Sequence, residues 1–163
     1  MTREGASLIR GATALCKSLS GTLFKMSSEH TCTLLSSSAL NEEDRKGVRS
    51  LYEANMSSLH SLIDSSSTTS QPGDSYFFHP DAMYLIVKHH ESLIAFAMFK
   101  VEWDDLDVPE LPVVYLYELQ VSNSWRSQGV GSLLLSTLEN IMSEHLRSMI
   151  NKMVRNLSFL DAQ

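Results

Sequence analysis

Arg126, Gly129 and Gly131 stand together in Arg-Ser-Gln-Gly-Val-Gly, between an apolar-aromatic run ending at Val121 and a leucine-rich stretch with helical spacing. A glycine has no Cβ to keep a bound group away from the backbone. The first turn of a helix carries N–H groups without intrahelical partners and a partial positive charge. With an arginine added, such a junction suits phosphate or pyrophosphate. Gly-x-Gly alone leaves open an ordinary strand–loop–helix turn whose glycines serve conformation only. A dinucleotide fold would need a third glycine where Leu134 stands. A P-loop would need a lysine where Ser132 follows Gly131. Just upstream, Glu118 is a lone carboxylate inside the apolar run, with Tyr115 and Tyr117 beside it. It is either a general base or a strand residue that faces solvent or pairs with a lysine. His79, His89 and His90 carry no paired carboxylate, and neighbours along a strand point to opposite faces, so no metal is expected.

The elements that must position these residues follow from periodicity. Thr31 to Leu35 is a short strand. Asn41 caps a helix of about twenty residues whose first turn holds Glu42, Glu43 and Asp44, and whose apolar side is Val48, Leu51, Tyr52, Met56, Leu59 and Leu62. The run from Ser65 to Ser70, followed by Pro72-Gly73, is a loop. Met83 to Lys88 and Leu93 to Glu102 form an antiparallel hairpin around His-His-Glu-Ser. After an acidic loop with Pro109 and Pro112, Val113 to Val121 is the next strand, rich in β-branched and aromatic residues. From Gly129, apolar residues recur at three and four as far as Leu157, predicting one long amphipathic helix.

A chain of 163 residues is one domain, or one domain with a terminal arm. We divide it into a helical arm, 1–30, and a domain, 31–163. A hydrophobic fraction of 43% supports a core, and the net charge of −6 argues against direct nucleic-acid binding and suits a basic peptide. No apolar run approaches the roughly eighteen residues a membrane span requires, so no membrane partner is expected. Cys16 and Cys32 read as reduced thiols. The first 25 residues, with Arg3, Arg10, Lys17 and Lys25 against one acid, Glu4, have the composition of a mitochondrial transit segment. They also place Leu8, Ile9, Ala12, Leu15 and Leu19 on one side of a helix able to pack on the domain.

The Arg, both glycines and the flanking strand and helix resemble the acetyl-CoA motif of the GNAT N-acetyltransferase superfamily, Arg/Gln-x-x-Gly-x-Gly/Ala. The segments YLYELQV, RSQGVGSLL, LYEANM and DAMYLIV further resemble the N-terminal acetyltransferase D family, which acetylates the α-amine of histone tails beginning Ser-Gly-Arg-Gly. The similarity spans about residues 45 to 140, a range read from those motifs, with an insertion at 103–112. It implies an α/β mixed sheet flanked by helices, acetyl-CoA as cosubstrate, a basic, histone-like protein tail as partner, and residence in nucleus and cytoplasm. Carried over residue by residue, it implies that the backbone of Leu119, Gln120 and Val121 lies along the pantetheine arm where the strand bulges. Arg126, Ser127, Gln128, Gly129, Val130, Gly131 and Ser132 would hold the pyrophosphate. Glu118 would be the catalytic base, directly or through a water, with Tyr117 as the second catalytic residue. Tyr115, Tyr117, Glu102 and His60 would contact the substrate. The amine would attack the thioester directly, without an acyl-enzyme. Asp104, Asp105, Asp107 and Glu110 in the neighbouring loop either attract an arginine of the tail or form a solvated acidic loop.

Two departures stand out. His60 occupies a position where that family has a substrate-facing tyrosine, and the Ser/Thr run 65–70 replaces its tryptophan-containing loop. The superfamily's motif helix is followed by a parallel strand, a helix and further strands, whereas here only Ser-Phe-Leu-Asp-Ala-Gln follows the helical pattern. The chain therefore reads as lacking the C-terminal strands. The alternative function is a truncated, inactive form that binds CoA weakly or acts through protein–protein contacts.

Overall fold

The structure, a computed structural model, describes residues 3–25, 29–63, 72–103 and 112–146. Its centre is a five-stranded sheet in sequential order, with every neighbouring pair antiparallel. The strands are β1 (Leu23–Lys25), β2 (His30–Ser36), β3 (Met83–His89), β4 (Ser92–Trp103) and β5 (Pro112–Val121). Helices cover both faces: α1 (Arg3–Ser18), α2 (Glu42–Ile63), the one-turn α3 (Asp74–Phe77) and α4 (Val130–Ile141). This is the α/β fold with helices flanking a sheet that the resemblance implies, and among the described residues the sheet is antiparallel throughout rather than mixed.

Side-chain alternation splits the core in two. On one face Cys32, Leu34, Leu85, Val87, Ala95, Ala97 and Phe99 meet Ala12 and Cys16 of α1 and Val130, Leu134, Leu138 and Ile141 of α4. On the other, Tyr84, Ile86, Phe96 and Met98 meet Val48 and Tyr52 of α2 and Phe77 of α3. A strand covered on both faces needs apolar residues at both parities, which explains the unbroken burial of Met83–Val87 and Ile94–Phe99.

The Asn41 side chain accepts the Asp44 N–H at 2.7 Å, capping α2 as expected. Buried Asp44 also pairs with Lys88 of β3 at 2.7 Å, anchoring the start of α2 to the sheet. α1 lies on the opposite face and joins the loop before β3 through Lys17 and Asp81, 2.7 Å apart.

Two elements had no sequence signal. β1 falls within the segment read as arm and pairs with β2 from Leu23↔Thr33 to Lys25↔Thr31. α3 is a single turn, too short to show a period. The C-terminal helix also departs from expectation, because a five-residue π segment, Met142–Leu146, follows the regular turns of α4. Its predicted continuation to Leu157, the Ser/Thr run 65–70, and Asp104, Asp105, Asp107 and Glu110 lie outside the described residues. So does the segment after the helix in which the C-terminal strands were judged missing. Among the described residues β5 pairs with β4 alone.

Candidate active site

β5 approaches the site with a bulge. Leu116 pairs with Phe99 and Glu118 with Met98, so Tyr117 is an extra residue on β5. Before the bulge Val114 and Leu116 pack on the α1/α4 face; after it Leu119 and Val121 do. The parity change places Tyr117 with the α2/α3 core and Glu118 opposite Met98 on that same face. Without the extra residue, strand alternation would send one of the two to the opposite side.

The Glu118 carboxylate is held at both oxygens. Tyr76 of α3 donates to Oε1 at 2.7 Å, and Gln120 donates through Nε2 to Oε2 at 2.9 Å. Gln120 in turn accepts from Asn55 of α2 at 2.9 Å, and Asn55 also donates to the Val121 carbonyl at 3.1 Å. Burial first, then the hydrogen bond to Glu118, pushes the Tyr76 phenol well above its ordinary range, so it is a donor at neutral pH.

A second cluster lies alongside. The Tyr117 hydroxyl donates to Glu102 Oε1, and burial together with that carboxylate pushes Tyr117 up to about 12. Lys100 sits 3.6 Å from Glu102 and 4.4 Å from the centre of the Tyr117 ring. The Tyr115 and Tyr117 rings are 5.9 Å apart, and Tyr115 is 57% exposed, open to an incoming ligand. The sheet thus gathers Tyr115, Tyr117, Glu118 and Glu102 on one surface. His60 lies in the last turns of α2, and its side chain is outside the described residues.

The junction after β5 is built locally. Arg126 donates through Nε to the Val121 carbonyl at 3.2 Å, and Gln128 donates to the Ser124 carbonyl at 2.8 Å. Ser127 and Gly129 take positive φ, +60° and +80°. No side chain caps α4 from Gly129, and no acidic residue occupies its first turn. The first intrahelical bond runs from the Leu133 N–H to the Gly129 carbonyl at 3.0 Å, leaving the N–H groups before it for a ligand. A Cβ on Gly131 would meet Leu119 Cδ2 at 3.6 Å, an ordinary contact, so packing alone does not demand a glycine there. Of the residues assigned to the cofactor, Leu119, Val121 and Val130 turn their side chains into the core. They have only backbone to offer, while Arg126, Ser127, Gln128 and Ser132 are exposed.

Sequence reading missed Tyr76, Asn55 and Lys100. Tyr76 and Asn55 reach the site from elements far away in the chain, and no local spacing announces them. Lys100 could have been found from alternation, since it shares a strand face with Glu102. His79 accepts the Asp81 N–H through Nδ1 at 3.1 Å, while the His89 and His90 rings lie 4.3 Å apart at the β3–β4 turn. Among the described residues, no group of three or more His, Cys, Asp or Glu could hold a metal. A cleft of about 550 Å³ between α2 and the β3–β4 turn, lined in part by Glu43, Lys46, Lys88 and Glu91, includes none of Glu118, Gly129 and Gly131.

A bulged strand carrying a held carboxylate thus runs into an uncapped helix N-terminus. The chain belongs to the acetyltransferase (GNAT) family, whose model matches residues 47–157. Solved structures agree on the fold. An aminoglycoside acetyltransferase from an uncultured soil metagenomic sample superposes with a TM-score of 0.52 at 14% identity, covering 74% of each chain. A ribosomal-protein-alanine N-acetyltransferase from Brucella melitensis biovar Abortus superposes with a TM-score of 0.52 at 18% identity, covering 71% of this chain and 73% of that one. A comparison with curated proteins found no match. Members of this family use acetyl-CoA. The positive-φ glycine, the free N–H groups and the adjacent Arg126 fit its pyrophosphate.

Proposed function

We propose that the chain transfers an acetyl group from acetyl-CoA to the free α-amine of a basic, histone-like protein tail of the Ser-Gly-Arg-Gly kind, as members of the N-terminal acetyltransferase D family do. The observation that carries this reading is the bulge at Tyr117, which puts Glu118, Tyr115, Tyr117 and Glu102 on one surface at the end of the strand leading to Arg126. Acetyl-CoA supplies the acetyl thioester: the amine nitrogen bonds to its carbonyl carbon, the C–S bond breaks, and CoA leaves as the thiol.

An α-amine has a pKa near 7.7–8.0 and is partly neutral at physiological pH, so a modest base suffices. Glu118 takes the amine proton, directly or through a water, and that proton passes on to the departing thiolate, which restores the carboxylate. The tyrosine rings wall the peptide, and Glu102 faces the arginine of the tail once Lys100 gives way. The uncapped N–H groups of α4 would hold the pyrophosphate. Work on histone tails would place the protein in nucleus and cytoplasm.

Steady-state assays with Ser-Gly-Arg-Gly, Ser-Gly-Ala-Gly and N-terminally blocked peptides test the substrate. The account expects no product from the blocked peptide and at least a tenfold lower kcat/KM for the alanine peptide, the loss of a charge-assisted contact. Equal rates for the two free peptides, or faster acetylation of an aminoglycoside, would refute the basic-tail assignment.

A further inference from the structure

α3 is only one turn long, yet it is tightly docked. Arg49 of α2 pairs with Asp74 and lies 5.7 Å from the Phe77 ring centre and 5.3 Å from that of Phe78. Arg45 lies 4.5 Å from the Phe78 ring centre and donates to the Ser37 carbonyl at 2.7 Å. Phe77 is buried edge-on against Tyr52, 4.9 Å between centroids. These contacts leave Tyr76 little freedom: its ring stands edge-on to Phe77 at 5.2 Å and to Tyr117 at 6.4 Å, and its hydroxyl ends on Glu118.

On the α2 side, Asn55 fixes Gln120, and Gln120 fixes the other carboxylate oxygen. Glu118 is thereby clamped by two elements, α2 and α3, that both precede it in the chain and reach its two oxygens separately. A single hydrogen bond would leave a carboxylate free to rotate about its own side chain. Two donors from independently anchored residues set its plane. A carboxylate so fixed offers its remaining lone pairs in one direction, which an incoming amine requires.

We propose that Tyr76 is a positioning residue for the acetyl-transfer reaction. Delivered by α3, it holds the Glu118 carboxylate in the orientation that receives the amine proton. This rests on the acetyltransferase reading of the same site and goes beyond it, because Tyr76 belongs to no motif in the chain.

The test is a double-mutant cycle over Tyr76→Phe and Glu118→Gln, read in two ways on the full chain. Tyr76→Phe keeps the ring and removes only the hydroxyl. For the Ser-Gly-Arg-Gly peptide, Tyr76→Phe lowers kcat about tenfold, the range for an oriented group losing one hydrogen bond. The KM for acetyl-CoA and the CoA affinity by calorimetry stay within about twofold, because the pyrophosphate loop is untouched. In the Glu118→Gln background, adding Tyr76→Phe changes kcat little. In thermal unfolding, the two substitutions together lower Tm by less than the sum of the single effects, as expected for groups in contact.

Wild-type kcat in Tyr76→Phe, or additive effects on kcat, would overturn the positioning role even if Tm shows coupling. Additive effects on Tm would overturn the contact itself. A parent chain that acetylates no amine overturns the proposed function and this role together. It is told apart from failure of the positioning role alone, in which the parent chain turns over and Tyr76→Phe matches it.

Discussion

The two halves of the site, one on β5 and one in the loop that follows it, are built in opposite ways. The side-chain hydrogen bonds that shape the glycine loop reach back four or five residues, Gln128 to Ser124 and Arg126 to Val121. The Glu118 carboxylate is held by Tyr76, 42 residues away, and through Gln120 by Asn55, 65 residues from that glutamine. A locally closed loop tolerates change elsewhere in the fold. A carboxylate set by distant elements inherits every disturbance of α2 and α3. Substitutions in the scaffold should therefore damage amine chemistry before cofactor binding.

The largest effect expected is from Glu118→Gln. It should lower kcat by about 10²–10⁴-fold, the usual worth of a general base, with CoA affinity by calorimetry unchanged within about twofold. A parallel collapse of CoA binding would show that the two halves are one unit.

Next comes Lys88→Met, which strands buried Asp44 and loosens the helix carrying Asn55. Breaking one partner of a buried pair costs about 3–5 kcal/mol, measurable in urea unfolding. In the surviving folded fraction, kcat should fall more than CoA affinity. The reverse order would break the comparison.

A smaller effect distinguishes the glycines. Gly129→Ala forces a Cβ into left-handed backbone at a cost of about 1–2 kcal/mol, seen as a lower Tm and weaker CoA binding. Gly131→Ala should leave Tm within about a degree, because its Cβ has ordinary space. It should still weaken CoA binding by crowding the pyrophosphate.

The smallest effect lies on the other face, where Lys17 holds the Asp81 carboxyl below its usual value. A depressed folded pKa stabilises above the unfolded value near 3.8 and is lost as pH falls through the folded one. Asp81 is half exposed, so the loss is screened to well below about 1 kcal/mol. Lys17→Met should slightly flatten the decline of Tm below pH 4 and leave both halves of the site unaffected.

The same contrast explains what could be read in the sequence. β3, β4, β5 and α2 announced themselves because each is long enough for its period, and Asn41 marked a helix start that its side chain does cap. The Arg-x-x-Gly-x-Gly junction was legible because its physics is local. Tyr76 was not, because it sits on one turn of helix after a Ser/Thr-rich stretch and matters only where α3 docks against Arg45 and Arg49. Strict alternation along β5 would place Tyr117 and Glu118 on opposite faces. The resemblance implied a bulge near Leu119–Val121, and the pairing with Phe99 and Met98 puts it earlier, at Tyr117, where it joins them on one face.

Mass spectrometry of a Ser-Gly-Arg-Gly peptide incubated with the chain and acetyl-CoA tests the central claim most directly. The account predicts a peptide acetylated at its α-amine, produced by the parent chain and nearly abolished in Glu118→Gln, while both proteins bind CoA equally. An unmodified peptide with the parent chain, or undiminished acetylation by Glu118→Gln, would contradict it.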